Sequence, residues 1–198
     1  MLSSDSECTV THMPEPTITL STADERRRTV VDAAIAVFAR TGYAATPVAA
    51  VAEQAGISTA YVFKLYSGKE ALFVAALERC FVRVVDALRI GADASRSSDP
   101  AAVLDAMGEA YARLITDRSL LMLQVHAMSA ADVPAIAQAL RAGLERVTAF
   151  AGERSGAPSA AVQRFLAYGQ LCHLIVATGL TAEDGEWAGL IADGIRHY

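Results

Sequence analysis

The sequence predicts an all-α protein, and three observations carry that prediction. Alanine supplies 40 of the 198 residues and β-branched runs are few, a composition that favours helix over strand. Apolar residues recur with the 3, 4, 7, 8 spacing of one helix face, and no long segment alternates with period two. Pro47, Pro100, Pro134 and Pro158 each stand before a long periodic run. In the first turn of a helix the missing N–H of proline costs nothing, so these four read as helix starts.

Taken in order, residues 1–22 are polar, hold Pro14 and Pro16, and carry a charge of −3. They read as a disordered tail, within which Met13 offers a second possible start. A first helix is expected over residues 23–40, with Val30, Ala33, Ala34, Val37 and Phe38 on its apolar face, and Gly42 as its stop. Two short helices follow, from Pro47 to Gln54 and from Ser58 to about Tyr66. A long helix is expected over residues 68–90, stopped by Gly91. Its face is Leu72, Phe73, Ala76, Leu77, Phe81 and Val84. Further helices read near 100–117, 119–130, 133–154, 158–179 and 184–196, with Gly156 and Gly179 as stops.

Composition removes several classes. Cys8, Cys80 and Cys172 are odd in number and widely spaced, so they form neither a disulfide framework nor a zinc motif and suit a reducing compartment. No run of 18 apolar residues predicts a membrane span, and the N-terminus lacks the basic and apolar regions of a signal peptide. A soluble, cytoplasmic protein is expected. The net charge is −5, which opposes a protein coated in positive charge. The charge is unevenly spread: residues 21–79 carry +1 and contain both lysines of the chain, Lys64 and Lys69, while residues 80–198 carry −3.

Two short helices joined by a three-residue turn with Gly form a helix-turn-helix pattern. Gly56 can take the positive φ that reverses the chain. Val51 and Ala52 point the first short helix inward, and Val62 and Leu65 anchor the second. Thr59, Ala60, Tyr61, Phe63 and Lys64 are left on the outer face, where small and hydroxyl-bearing residues suit close approach to base edges.

Residues 23–78 resemble the DNA-binding domain of the TetR/AcrR family of transcriptional regulators. The resemblance rests on Gly42-Tyr43-Ala44-Ala45-Thr46-Pro47-Val48-Ala49-Ala50-Val51-Ala52 and on the run from Ala55-Gly56-Ile57-Ser58 through Lys69-Glu70-Ala71-Leu72. It departs from the family pattern at Thr59, where lysine is common, at Ala60, where glycine is common, and at Phe63-Lys64, where tyrosine and histidine are usual. Leu65-Tyr66 and Ser67-Gly68 also differ. Phe63 lacks the hydroxyl that the family's tyrosine gives to a phosphate, and Lys64 offers a replacement charge. The resemblance implies an all-α fold of about nine helices. A three-helix DNA-binding domain over 23–70 precedes a larger ligand-binding and dimerisation domain over 71–198. It implies that Thr46 caps its helix and donates to a phosphate, that Pro47 lies beside it, and that Lys69 meets the DNA backbone. Ser58, Thr59, Ala60 and Tyr61 would read bases or nearby phosphates. Tyr66 reads equally as a contact or as a packed residue. In the run Arg26-Arg27-Arg28, Arg27 and Arg28 read either as an arm touching DNA or as a solvated helix end.

The same resemblance implies that the C-terminal region holds a ligand pocket and a two-fold interface. Pocket candidates are Met107, Tyr111, Leu114, Met122, Val125, His126, Phe150, Tyr168 and Cys172, because methionines adapt to irregular shapes and Tyr or His supplies orienting hydrogen bonds. Each has an ordinary core position as its alternative. Gly108 and Gly143 either widen a cavity or permit close packing. The run from Phe165 to Ala177 is apolar nearly all round, as for a helix buried on both sides. It falls where the family pairs its last two long helices across a dimer. Val162, Phe165, Gly169, His173, Val176, Trp187 and Ile191 are the interface candidates, with small Gly169 allowing close helix approach.

Catalysis is disfavoured. Cys172 and His173 are adjacent on a helix and point about 100° apart, the four histidines lack metal-ligand spacing, and no phosphate loop or nucleophile elbow is present. No cofactor or metal is expected. The expected function is a homodimeric, ligand-responsive repressor of a palindromic double-stranded DNA operator, with a small apolar effector and no membrane partner. The alternative is a helix-turn-helix regulator controlled by protein contacts without a small ligand.

Overall fold

The computed structural model describes residues 22–194. The expected tail therefore lies outside the described residues except for Thr22, as do Cys8, His12, Met13, His197 and the end of the helix expected to reach 196. Among the described residues there are nine α-helices and no strand: α1 (Thr22–Ala45), α2 (Val48–Gln54), α3 (Thr59–Leu65), α4 (Lys69–Ala94), α5 (Pro100–Leu114), α6 (Arg118–Ser129), α7 (Pro134–Ser155), α8 (Ser159–Thr178) and α9 (Glu186–Ala192), with a 3-10 turn at Leu180–Ala182. None of these helices is long and apolar enough to cross a membrane.

The predicted helix ends need three corrections. Pro100 and Pro134 do occupy the first turn, but Pro47 and Pro158 stand one place earlier, as N-cap residues in extended conformation. Gly91 does not stop α4. It is buried within the helix, where a side chain would strike the Ala106 carbonyl of α5, and α4 continues to Ala94. The helix therefore uses Gly91 for close packing on α5. Gly42 breaks α1 (φ 76°, ψ 176°), yet one more turn follows, to Ala45.

One buried core runs from Val30 in α1 through α4, α5, α6 and α7 to Cys172 in α8. α4 is its axis, packed on α1 at one end and on α5 and α7 along the rest. Phe73 of α4 meets Phe38 and Tyr43 of α1 edge-on, at centroid distances of 4.9 and 5.3 Å. The Cys80 thiol lies 3.3 Å from the Leu120 carbonyl of α6, and Arg154 of α7 pairs with Asp93 of α4 at 2.9 Å. α1 also packs along α6, so the N-terminal helices share a continuous apolar interior with the rest.

Candidate nucleic-acid interface and ligand cavity

α2 and α3 are joined by a closely specified turn. Gly56 takes φ 67°. Its N–H reaches the Glu53 carbonyl, and that of Ile57 reaches the Ala52 carbonyl, each at 3.0 Å. This is the Schellman pairing that closes a helix C-terminus. Ser58 then caps α3, its hydroxyl accepting from the Tyr61 N–H at 3.2 Å. That role competes with any contact of Ser58 to DNA. Val51, Ala52 and Val62 are buried. Ala60, Phe63 and Lys64 are exposed, and Thr59 and Tyr61 half-exposed, on one presented surface. Lys64 has no ion pair or hydrogen bond among the described residues, whereas Phe63 leaves half its surface in solvent.

Neighbouring residues qualify the expected contacts. Thr46 is a correction: it does not cap α2 and is 1% exposed. Its hydroxyl donates to the Gly42 carbonyl at 2.6 Å and accepts from Thr41 at 2.6 Å. The single hydroxyl proton is thereby used, and none remains for a phosphate. Pro47 is exposed beside it. Lys69 donates to the Ala44 carbonyl at 2.9 Å and lies 4.9 Å from the centre of the Tyr43 ring. It thus closes the end of α1, with two N–H donors left. Tyr66 is half-buried, and burial raises its hydroxyl pKa.

Residues 26–28 form helical turns within α1, not an extended arm. Arg27 pairs with Asp24 at 3.6 Å, and Arg28 is exposed. The arginine tied to the recognition surface is Arg26, whose guanidinium sits 5.7 Å from the Tyr61 ring centre. Spacing within one helix could not reveal this contact between α1 and α3.

A cavity of about 310 Å³ opens between α4, α5, α7 and α8. Of the nine pocket candidates, Tyr111, Tyr168 and Cys172 line it. Met107, Leu114, Met122, Val125, His126 and Phe150 do not. Met107 is sealed in the core, and His126 packs instead on Gly42 of α1, where its Nε2 is buried without a partner. The walls are largely residues read only as a core stripe or not singled out: Phe81, Val84 and Leu88 of α4, Leu104 of α5, and Leu144 and Val147 of α7. Gly108 and Gly169 help to make the space. A Cβ on Gly169 would meet nothing within 4 Å, and one on Gly108 only Phe165, at 3.8 Å. Gly143 does the opposite and is the notch that seats the Phe81 ring.

A buried polar relay closes one side. The Tyr111 hydroxyl and His173 Nε2 are 2.9 Å apart, and the buried Gln124 amide beside them donates to the Leu120 carbonyl at 3.2 Å. Burial lowers the His173 pKa to about 4, so the ring is neutral at neutral pH. Burial also raises the Cys172 thiol, keeping it protonated.

The expected interface residues divide. Val162 and His173 are correctly placed on α8 but face inward and are buried, so they are unavailable to a second chain. Phe165 and Gly169 face the cavity; Gly169 therefore does not serve close helix approach within the chain. Val176 and Ile191 are half-buried and Trp187 is 56% exposed. The outward apolar residues of α8 and α9 are Tyr168, Leu174, Trp187 and Leu190. Among the described residues no group of His, Cys, Asp or Glu is arranged to hold a metal ion.

Residues 30–76 match the family model described as bacterial regulatory proteins, tetR family. No curated protein sequence matches the chain. Solved structures share the fold. A TetR-family transcriptional regulator from Agrobacterium tumefaciens superposes with a TM-score of 0.68 at 14% identity, over 88% of this chain and 96% of that one. A TetR-like transcriptional regulator from Rhodococcus sp. RHA1 gives 0.62 at 23% identity, over 87% and 94%. The transcriptional regulator FadR of Bacillus subtilis, in complex with stearoyl-CoA, gives 0.64 at 16% identity, over 85% and 99%.

Proposed function

We infer, from a chain whose N-terminal domain is that of the TetR family of bacterial regulatory proteins, that this DNA-binding regulator acts as a homodimeric, ligand-responsive repressor. Its operator is near-palindromic, and it works in the cytoplasm. The observation that carries the reading is the presented face of α3. A Schellman turn and a serine cap fix the helix, and Thr59, Ala60, Tyr61, Phe63 and Lys64 line its accessible side. Such a helix enters a major groove, with half-sites ~34 Å or a multiple apart.

Dimerisation is supported by the exposed apolar side chains of Leu174 on α8 and of Trp187 and Leu190 on α9. Ligand response is supported by the cavity, whose wall includes Phe81, Val84 and Leu88 of α4. The same helix begins at Lys69, beside the recognition unit. An occupant that favours one tilt of α4 changes the separation of the two recognition helices, and acts only through its differing affinity for the two states. The reading is of a regulator and not an enzyme, because Cys172 is a protonated thiol and His173 is engaged with Tyr111.

Selection of bound fragments from random double-stranded DNA tests this reading. A recovered site with two-fold symmetry, bound by two chains, is expected. A site without symmetry, or tight binding by a single chain, overturns it.

A further inference from the structure

Of the six phenylalanines, Phe38, Phe73 and Phe81 are sealed in the core and Phe150 and Phe165 are half-buried. Phe63 alone is exposed, with 52% of its surface in solvent. It stands on α3, and Ala60, exposed one turn before it, shares its face. The adjacent Lys64 is exposed as well, and its charge suits the DNA backbone. The other aromatic of α3, Tyr61, is differently placed. The Arg26 guanidinium lies 5.7 Å from its ring centre, and its hydroxyl can bond to a phosphate or a base edge. A phenyl ring has no donor or acceptor and can do neither. Set in a major groove, it gains only by burying apolar surface, and the apolar group that base edges offer there is the 5-methyl of thymine.

We propose that Phe63 determines part of the operator sequence: its ring, with the Ala60 methyl beside it, packs on the 5-methyl group of a thymine in each half-site. This rests on the two-fold operator reading above and deepens it by naming one base of the site. Lys64 holds the flanking phosphate, a contact that positions the helix without specifying sequence. Cytosine at the same place presents an amino donor and no methyl, so the ring loses its contact and leaves that donor without a partner. Burying one methyl group strengthens binding about fourfold, and two half-sites together about fifteenfold.

The test starts from the operator recovered by fragment selection with the full-length protein. Each thymine is replaced in turn by 2′-deoxyuridine, which pairs identically and lacks only the methyl, and affinity is read by fluorescence anisotropy at fixed salt. One position in each half-site is expected to weaken binding about fourfold, and both together about fifteenfold. This scan uses the native protein and needs no variant to fold. In Phe63→Ala the effect of deoxyuridine should vanish, while the salt slope stays native because no phosphate contact is removed. If no thymine methyl matters, or if the methyl effect survives Phe63→Ala, the proposal is overturned with the operator reading intact. Phe63→Tyr binding more tightly to every sequence, operator or not, would place the ring at a phosphate and overturn it too. Recovery of no discrete site overturns the operator reading first, and this proposal with it.

Discussion

Substituting Gly42 by alanine probes the joint between the recognition unit and the rest of the protein. Two separable costs follow from its geometry. The backbone at φ 76°, ψ 176° belongs almost exclusively to glycine, and forcing another residue there costs about 1–3 kcal/mol. In addition, the new Cβ would stand 2.9 Å from His126 Nδ1 and 3.3 Å from its Cε1, so the imidazole of α6 must shift within a closely packed site. Removing the ring with His126→Ala relieves the second cost and leaves the first. Urea unfolding of the two single variants and the double variant forms a double-mutant cycle. Gly42→Ala should destabilise by about 1–3 kcal/mol in the His126→Ala background and by more in the native one, with a coupling above about 0.5 kcal/mol. Additive effects would refute the wedge between α1 and α6. A loss below about 0.5 kcal/mol in both backgrounds would refute the backbone argument itself. Because Gly42 also supplies the carbonyl that holds Thr46, operator affinity should fall alongside stability.

Three further outcomes are expected. Thr46→Val should cost about 1–3 kcal/mol of stability, by stranding buried polar partners, with no change in the salt dependence of DNA binding; a slope lower by ~1 with stability intact would restore the phosphate role. Lys64→Ala should reduce the salt slope by ~1 at unchanged stability, while Lys69→Met should also lower stability, because it removes the hydrogen bond to Ala44; identical behaviour of the two in unfolding would contradict that difference. His173 has a folded pKa lowered to about 4 from 6.5, so below pH 6.5 the unfolded chain takes up a proton that the folded chain refuses. Stability should therefore fall between pH 6.5 and 4, by about 3 kcal/mol from this residue, and His173→Gln should remove that part of the slope in urea unfolding at pH 7 and 4.5.

The recognition unit was legible because local chemistry specifies it. Gly56 and the inward Val51, Ala52 and Val62 all act within ten or so residues of one another, whereas the cap formed by Ser58, read in the sequence as a DNA contact, showed only in the structure. The starts at Pro100 and Pro134 and the stops at Gly156 and Gly179 followed from the same short-range rules, while Pro47 and Pro158 fell one place outside their helices. The cavity was not legible in that way. Large adaptable side chains such as Met107 and Met122 pointed toward a pocket, but Met107 fills space instead of enclosing it. The opening lies where α5 and α8 present Gly108 and Gly169 to each other's neighbours. A missing side chain carries no periodic signal, and whether a glycine marks close packing, as at Gly143 and Gly91, or empty space depends on the helix opposite. His126 shows the same dependence. Its residue type suited a ligand contact, while its register on α6 turns it toward α1.

The two cavity glycines have a consequence for how such a regulator changes over time. A Cβ added at Gly169 meets no protein atom within 4 Å, and one at Gly108 makes a single ordinary contact. A methyl group added at either position subtracts volume from the cavity while leaving the packed interior alone. Most core substitutions couple specificity to stability, since a change in shape must be absorbed by neighbours. On the ligand-responsive reading proposed above, the two are uncoupled at these positions, and single substitutions there would trade one effector for a shorter one without disturbing the fold.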